Sequence, residues 1–154
     1  ALVRNIRFLG FDEEERGLVG SGKYARELSN NGSINQLVGL INIEMTGYDQ
    51  DRDGAFHVID CNENTSADLT TKIMLAHSRD NLGLQKNDAC TNRSDHAAFW
   101  RYNKPAVVVS QNFFGGDSNP CYHRSCDNVD GMDFDYAARM TTLLARSVKA
   151  MVAQ

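Results

Sequence analysis

Basic charge, proline and long apolar runs are all scarce in this chain, and each scarcity removes a class of function. Lys and Arg number 16 against 20 Asp and Glu, a net charge of −4, so there is no positive field to draw nucleic acid or an anionic membrane. No apolar run approaches the roughly 20 residues of a membrane-spanning helix. With only 2 prolines, no repeat and no low-complexity tract, nothing reads as a linker. The 154 residues are 42% hydrophobic and 23% charged, which suits one globular domain over 1–154 with a core of its own.

The 4 cysteines lack the paired C-x₂-C spacing of a structural zinc site. Their even count favours disulfides, read as Cys121–Cys126 and Cys61–Cys90. The alternative is four reduced, buried thiols. Oxidised cysteines imply a secreted or periplasmic protein.

Apolar periodicity predicts alternating strands and helices. Strands are expected over 2–11, over 37–45 (a buried central strand), over 55–60 and over 105–111. Helices are expected from about Gly17 to Leu28 and over 66–80, the latter with Ser66 as N-cap and Leu69, Ile73, Leu75 and Ala76 on one side. A short helix is expected over 94–103, and an amphipathic one over 132–152 carries Tyr136, Met140, Leu143, Leu144, Val148 and Met151. This alternation argues α/β with a parallel or mixed sheet. Ligands of such sheets gather at the carboxyl ends of strands. There fall Glu14 and Glu15, Glu44, and His123 within "PCYHRSCD" (120–127). Carboxylates and imidazole converging at one sheet edge suit a metal site.

Four segments carry a resemblance: "EERGLVGS" (14–21), "INIEMTGY" (41–48), "SDHAAFW" (94–100) and "PCYHRSCDNVD" (120–130). In order and spacing they resemble the zinc aminopeptidases of family M28, the leucyl aminopeptidase-like enzymes. The resemblance implies a three-layer mixed sheet of the zinc-exopeptidase (phosphorylase/hydrolase-like) type. It implies hydrolysis of an N-terminal residue, preferably apolar, from peptides through a metal-activated water, with two Zn²⁺ per complete site. By position it makes Glu14 the general base, Glu15 and His123 ligands of one zinc, and Glu44 a ligand of the second, where most relatives place Asp. Tyr122 becomes the donor to the oxyanion, and Met45, Phe113 and Phe114 walls of an apolar substrate pocket. The glycines after Glu15 would turn the backbone tightly into the next helix and so fix both carboxylates.

The pattern also departs from the family. An H-x-D histidine and a bridging aspartate are expected upstream of Glu14 and have no counterpart here; His57, His77 and His96 lie downstream in other contexts. The resemblance therefore covers the C-terminal part of a catalytic domain. A separate N-terminal segment or a second chain would complete the site. Two rivals follow: a catalytically incomplete relative serving as a binding or structural module, and a single-zinc enzyme like the glutaminyl cyclases.

One further stretch, "DQDRDGAFHVID" (49–60), spaces Asp49, Asp51, Asp53 and Asp60 with Gly54 at the sixth place. That is the oxygen-ligand rhythm of a Ca²⁺ loop. The plain alternative is a polar connection between strands.

Overall fold

In the computed structural model, residues 4–63 and 65–153 are described. One mixed sheet of four strands organises them, in the order β1-β4-β2-β3. Strand β1 spans Leu40–Glu44, β2 Ala55–Ile59, β3 Gln85–Asn87 and β4 Ala106–Gln111. β1 runs parallel to β4, β4 antiparallel to β2, and β2 parallel to β3. Both inner strands, β2 and β4, are buried along their whole length, which is why their sequences are mainly apolar, interrupted only by the buried polar residues His57, Ser110 and Gln111.

Helices cover the two faces. On one lie α2 (Ala67–Arg79) and α4 (Phe134–Val152). Their apolar stripes, including Ile73, Tyr136, Met140 and Leu143, pack on Phe56, Val58, Val107 and Val109. On the other lie α1 (Val19–Asn30) and α3 (His96–Trp100), where Ala25, Leu28, Ala98 and Phe99 meet Ala106. This gives the three layers expected. The alternation along β4 supplies both cores, since successive side chains point to opposite faces.

Four expectations about elements need correction. Residues 4–11 form no strand. Ile6, Phe8 and Leu9 stay exposed, and only Phe11 reaches the core, against Tyr24 and Phe99. The run 37–45 gives an edge strand rather than a central one: β1 pairs only with β4 among the described residues, and Ile43 is exposed. Leu75 also faces outward, leaving Leu69, Ile73 and Ala76 as the buried stripe of α2.

Ser66 precedes α2, but its side chain makes no cap bond. Its hydroxyl, fully buried, donates instead to the Ala106 carbonyl at 2.9 Å. It also accepts from the Ala106 N–H at 3.1 Å and from the Trp100 indole at 3.2 Å. The start of α2, the start of β4 and the end of α3 are thereby joined at one polar point. A buried hydroxyl with three partners serves the fold more than a solvated cap would.

Candidate metal and catalytic site

The acidic run 12–15 divides by its contacts rather than by exposure, since only Glu14 is half-buried and Glu15 is exposed along with Asp12 and Glu13. Asp12 and Glu13 are in water, with Glu13 paired to Arg16 at 3.2 Å. Glu14 and Glu15 sit on a single 3₁₀ turn, Glu14–Arg16, directly before α1. Two glycines make that placement feasible. Gly17 closes the turn at φ 98°, a conformation that costs other residues. A Cβ at Gly20 would lie 2.6 Å from the Asp12 carbonyl oxygen, so only glycine lets α1 begin against the backbone preceding the glutamates.

Glu44 is the last residue of β1 and occupies the carboxyl edge as anticipated. Its Oε1 accepts from the Ser94 hydroxyl and from the Asn42 amide. His123 comes from the loop after β4, and its Nε2 lies 2.8 Å from Glu15 Oε1. Tyr122 stacks on His123 with ring centroids 3.8 Å apart. The disulfide Cys121–Cys126 encloses both, and His123 takes a left-handed φ of 58° inside it. Cys61–Cys90 forms as well, and no described cysteine is free. Reducing Cys121–Cys126 should lower metal affinity or turnover before it lowers the unfolding midpoint, because a loop this short restricts little chain entropy but fixes two site side chains. Metal binding and thermal melting measured across a dithiol titration check this, and simultaneous loss of both would refute it.

The electrostatics follow from crowding. Burial pushes the Glu14 carboxyl above its usual range, and the like charges of Glu15, Glu44 and Asp95 push it further. Burial, then Glu15, Glu44 and Glu14, raise the Tyr122 phenol in the same way. A carboxylate so placed is a stronger base than one in water, and a phenol so placed stays protonated and able to donate.

Met45 and Tyr122 line a cavity of about 220 Å³ together with Tyr48, Gln111, Asp127 and Met132. Phe113 and Phe114 are not among its walls. Phe113 braces Tyr122 edge-on at 5.1 Å, whereas Phe114 packs on His57 at 5.8 Å and is 55% exposed. The loop after β4 thus sets Phe113 between Phe114 and Tyr122, with Phe114 edge-on to Phe113 at 5.3 Å.

The second acidic group also differs from its sequence reading. Asp49, Asp51 and Asp53 converge with Asp117, their ligand oxygens all within 4.8 Å of one another. Among the described residues no other set of three or more His, Cys, Asp or Glu closes so tightly. Asp60 stands apart, accepting from the Thr70 hydroxyl at 2.6 Å and the Asn62 N–H at 2.9 Å; the strand that follows Gly54 carries it away from the loop. Asp117 takes the fourth place from the loop after β4. Burial raises the carboxyls of Asp49 and Asp117; Asp117 and Asp53 push Asp49 further, and Asp51 and Asp53 push Asp117. Arg139 offsets this at 3.3 Å from Asp49.

Several residues carry the site without a motif role assigned to them. Asn42 and Ser94 hold Glu44. Asp95 is buried with Oδ1 unpaired. The Asn42–Glu44 spacing of two along a strand was a readable signal, since such residues share a face.

A profile of peptidase family M28 matches residues 1–148. A probable leucine aminopeptidase of Arthroderma benhamiae is 28% identical over 134 residues, covering 87% of this chain and 35% of the relative. In fold, BSAP, a zinc aminopeptidase from Bacillus subtilis, superposes with a TM-score of 0.80 at 19% identity, over 93% of this chain and 35% of that one. A glutaminyl cyclase of an Acidobacteriales bacterium gives 0.68 at 16% identity, over 88% and 46%. The chain thus spans about a third to a half of the length of these proteins. With the Glu-Glu turn, the strand-end glutamate and the Tyr-His loop gathered at one sheet edge, this chain belongs to peptidase family M28.

Proposed function

We propose that residues 1–154 form the greater part of the active-site edge of a zinc-dependent aminopeptidase catalytic domain. It releases an N-terminal residue, preferably apolar, from peptides. The observation that carries the reading is the approach of His123 Nε2 to Glu15 Oε1 at 2.8 Å with Glu14 on the same turn. Two ligands of one tetrahedral zinc, each about 2.0–2.2 Å from the ion, lie roughly 3.3 Å apart. The pair therefore fits a shared ion with little movement. Glu15 and His123 would hold one zinc, and Glu44 would contribute to a second. Catalytic zinc takes three protein ligands, so the remaining donors belong to polypeptide outside this stretch or to a second chain.

When bound, zinc supplies Lewis acidity, lowering the pKa of water from about 15.7 towards about 7. Glu14 takes the proton from the attacking water and passes it to the departing amine as the peptide C–N bond breaks and the new C–O bond forms. The Tyr122 phenol donates to the oxyanion that develops on the carbonyl. Met45 and Met132 give the cavity beside Tyr122 apolar walls for the first side chain. The disulfides fit a secreted or periplasmic setting, and no helix among the described residues is long and apolar enough to cross a membrane. The test is release of the N-terminal residue from leucyl peptides by the full-length protein, with zinc counted by mass spectrometry. Two zincs per chain are expected; one zinc with cyclisation of N-terminal glutamine would favour the glutaminyl cyclase reading, and no zinc the structural module.

We further propose Ca²⁺ at Asp49, Asp51, Asp53 and Asp117. Four carboxylates with two of them buried suit a hard, oxygen-seeking cation. Adding Ca²⁺ should raise the melting temperature, with a gain of about 2.7 kcal/mol when the free ion stands at 100 times its Kd. No shift in a thermal scan at millimolar Ca²⁺ would eliminate it.

A further inference from the structure

We propose that Gln111 is a positioning residue that sets the depth of the substrate cavity by clamping the turn after β1. The proposal rests on reading that cavity as the seat of the substrate's first side chain.

Gln111 ends β4 and is 3% exposed. Its backbone N–H donates to the Met45 carbonyl at 2.9 Å. Its side-chain Oε1 accepts from the Gly47 N–H at 3.3 Å and from the Tyr48 N–H at 3.0 Å. Its Nε2 donates to the Asp117 carbonyl at 2.8 Å. A single residue thus grips residues 45, 47 and 48 from one side and 117 from the other, and its amide has partners on both ends.

The turn it grips is not one the chain adopts unaided. Met45 sits at φ 41°, in the left-handed region that an unbranched, non-glycine residue leaves when it is free to do so. In that conformation the Met45 side chain lines the cavity with Tyr48 and Tyr122. Without the clamp, Met45 is free to return to negative φ. The backbone at 45–48 then swings, and the thioether no longer defines the cavity wall. Met132, on the opposite wall, reaches the same turn, its terminal methyl lying where a Cβ at Gly47 would be 2.8 Å away. Gln111 therefore acts through Met45 rather than on the substrate.

The experiment uses the full-length protein, with L-leucine and L-alanine as probes of the cavity. In the wild type, hydrogen exchange should find the Gly47 and Tyr48 amides protected, and calorimetry should find leucine bound more tightly than alanine. Gln111→Leu keeps the volume but removes the acceptor, and the leucine-over-alanine preference should fall about tenfold, the scale on which an apolar pocket discriminates side chains. Gln111→Glu keeps an acceptor for both N–H groups but loses the donor to the Asp117 carbonyl, so its preference should fall between those of the wild type and Gln111→Leu. A merely structural role would lower stability and leave the ratio unmoved. A folded Gln111→Leu protein with the wild-type ratio would overturn the proposal, as would Gly47 and Tyr48 amides that exchange freely in the wild type. Should Gln111→Leu fail to fold, Gln111→Asn decides: it keeps both ends of the amide but shortens the arm by one methylene, and a leucine-over-alanine ratio unchanged there counts against the clamp. If the wild type releases no N-terminal residue yet the leucine preference follows Gln111 as stated, the hydrolytic reading fails and the clamp stands.

Discussion

Replacing Glu14 by glutamine is expected to lower kcat by about 10²–10⁴-fold, the range a general base contributes, while zinc content and KM stay close to those of the wild type. Glutamine keeps the size and the turn but cannot take a proton. Glu15 and His123, which meet without passing through Glu14, should still bind metal. The discriminating measurement is kcat beside zinc by mass spectrometry on the same preparation. A variant that kept its rate to within a few-fold would move the base elsewhere, and Asp95, buried with one oxygen unpaired, is the next carboxylate to try. A variant that lost zinc as well would make Glu14 a ligand instead.

The largest expected loss of stability comes from Phe99→Ala. Phe99 is fully buried, with Phe11 at 6.1 Å and Tyr24 at 6.4 Å between ring centroids. Truncation to alanine there should cost about 3–5 kcal/mol, from lost transfer energy and the cavity left behind. The urea unfolding midpoint reads this directly, and a cost under about 1 kcal/mol would mean that the α1 and α3 layer collapses around the gap. Phe99 is also the aromatic end of the S-D-H-x-x-F segment. Its burial anchors α3, which Ser94 and Asp95 immediately precede, and Ser94 in turn holds Glu44. The aromatic of that motif is therefore a packing residue, and its serine reaches the site.

What the sequence made legible follows from which interactions are local. The strand-end position of Glu44 and the Glu14–Glu15 turn with its glycines depend on neighbours a few residues away, and β2 and β4 announced their burial through apolar composition. The 2–11 segment misled because alternation describes a strand only when a partner exists to bury one face, and the described residues 4–11 have none. β1 was misplaced for the same reason, as apolar composition cannot tell an edge from a centre. Asp117 and Gln111 were invisible because the segment they hold, 47–50, lies more than 60 residues away, joined only when the turn after β1 packs on the end of β4 and its loop. Phe113 and Phe114 were assigned to the substrate pocket by the resemblance; the structure places Phe113 against Tyr122 and Phe114 against His57.

The flank of β1 left open among the described residues has a practical consequence for the polypeptide in a test tube. Its backbone donors and acceptors point outward beside an exposed Ile43, a combination that invites another chain to add on as a fifth strand. Prepared by itself at high concentration, the 154-residue polypeptide is thus primed for association through its backbone, a colloidal hazard that substitutions of the catalytic glutamates, which leave the β1 backbone as it is, will neither cause nor cure.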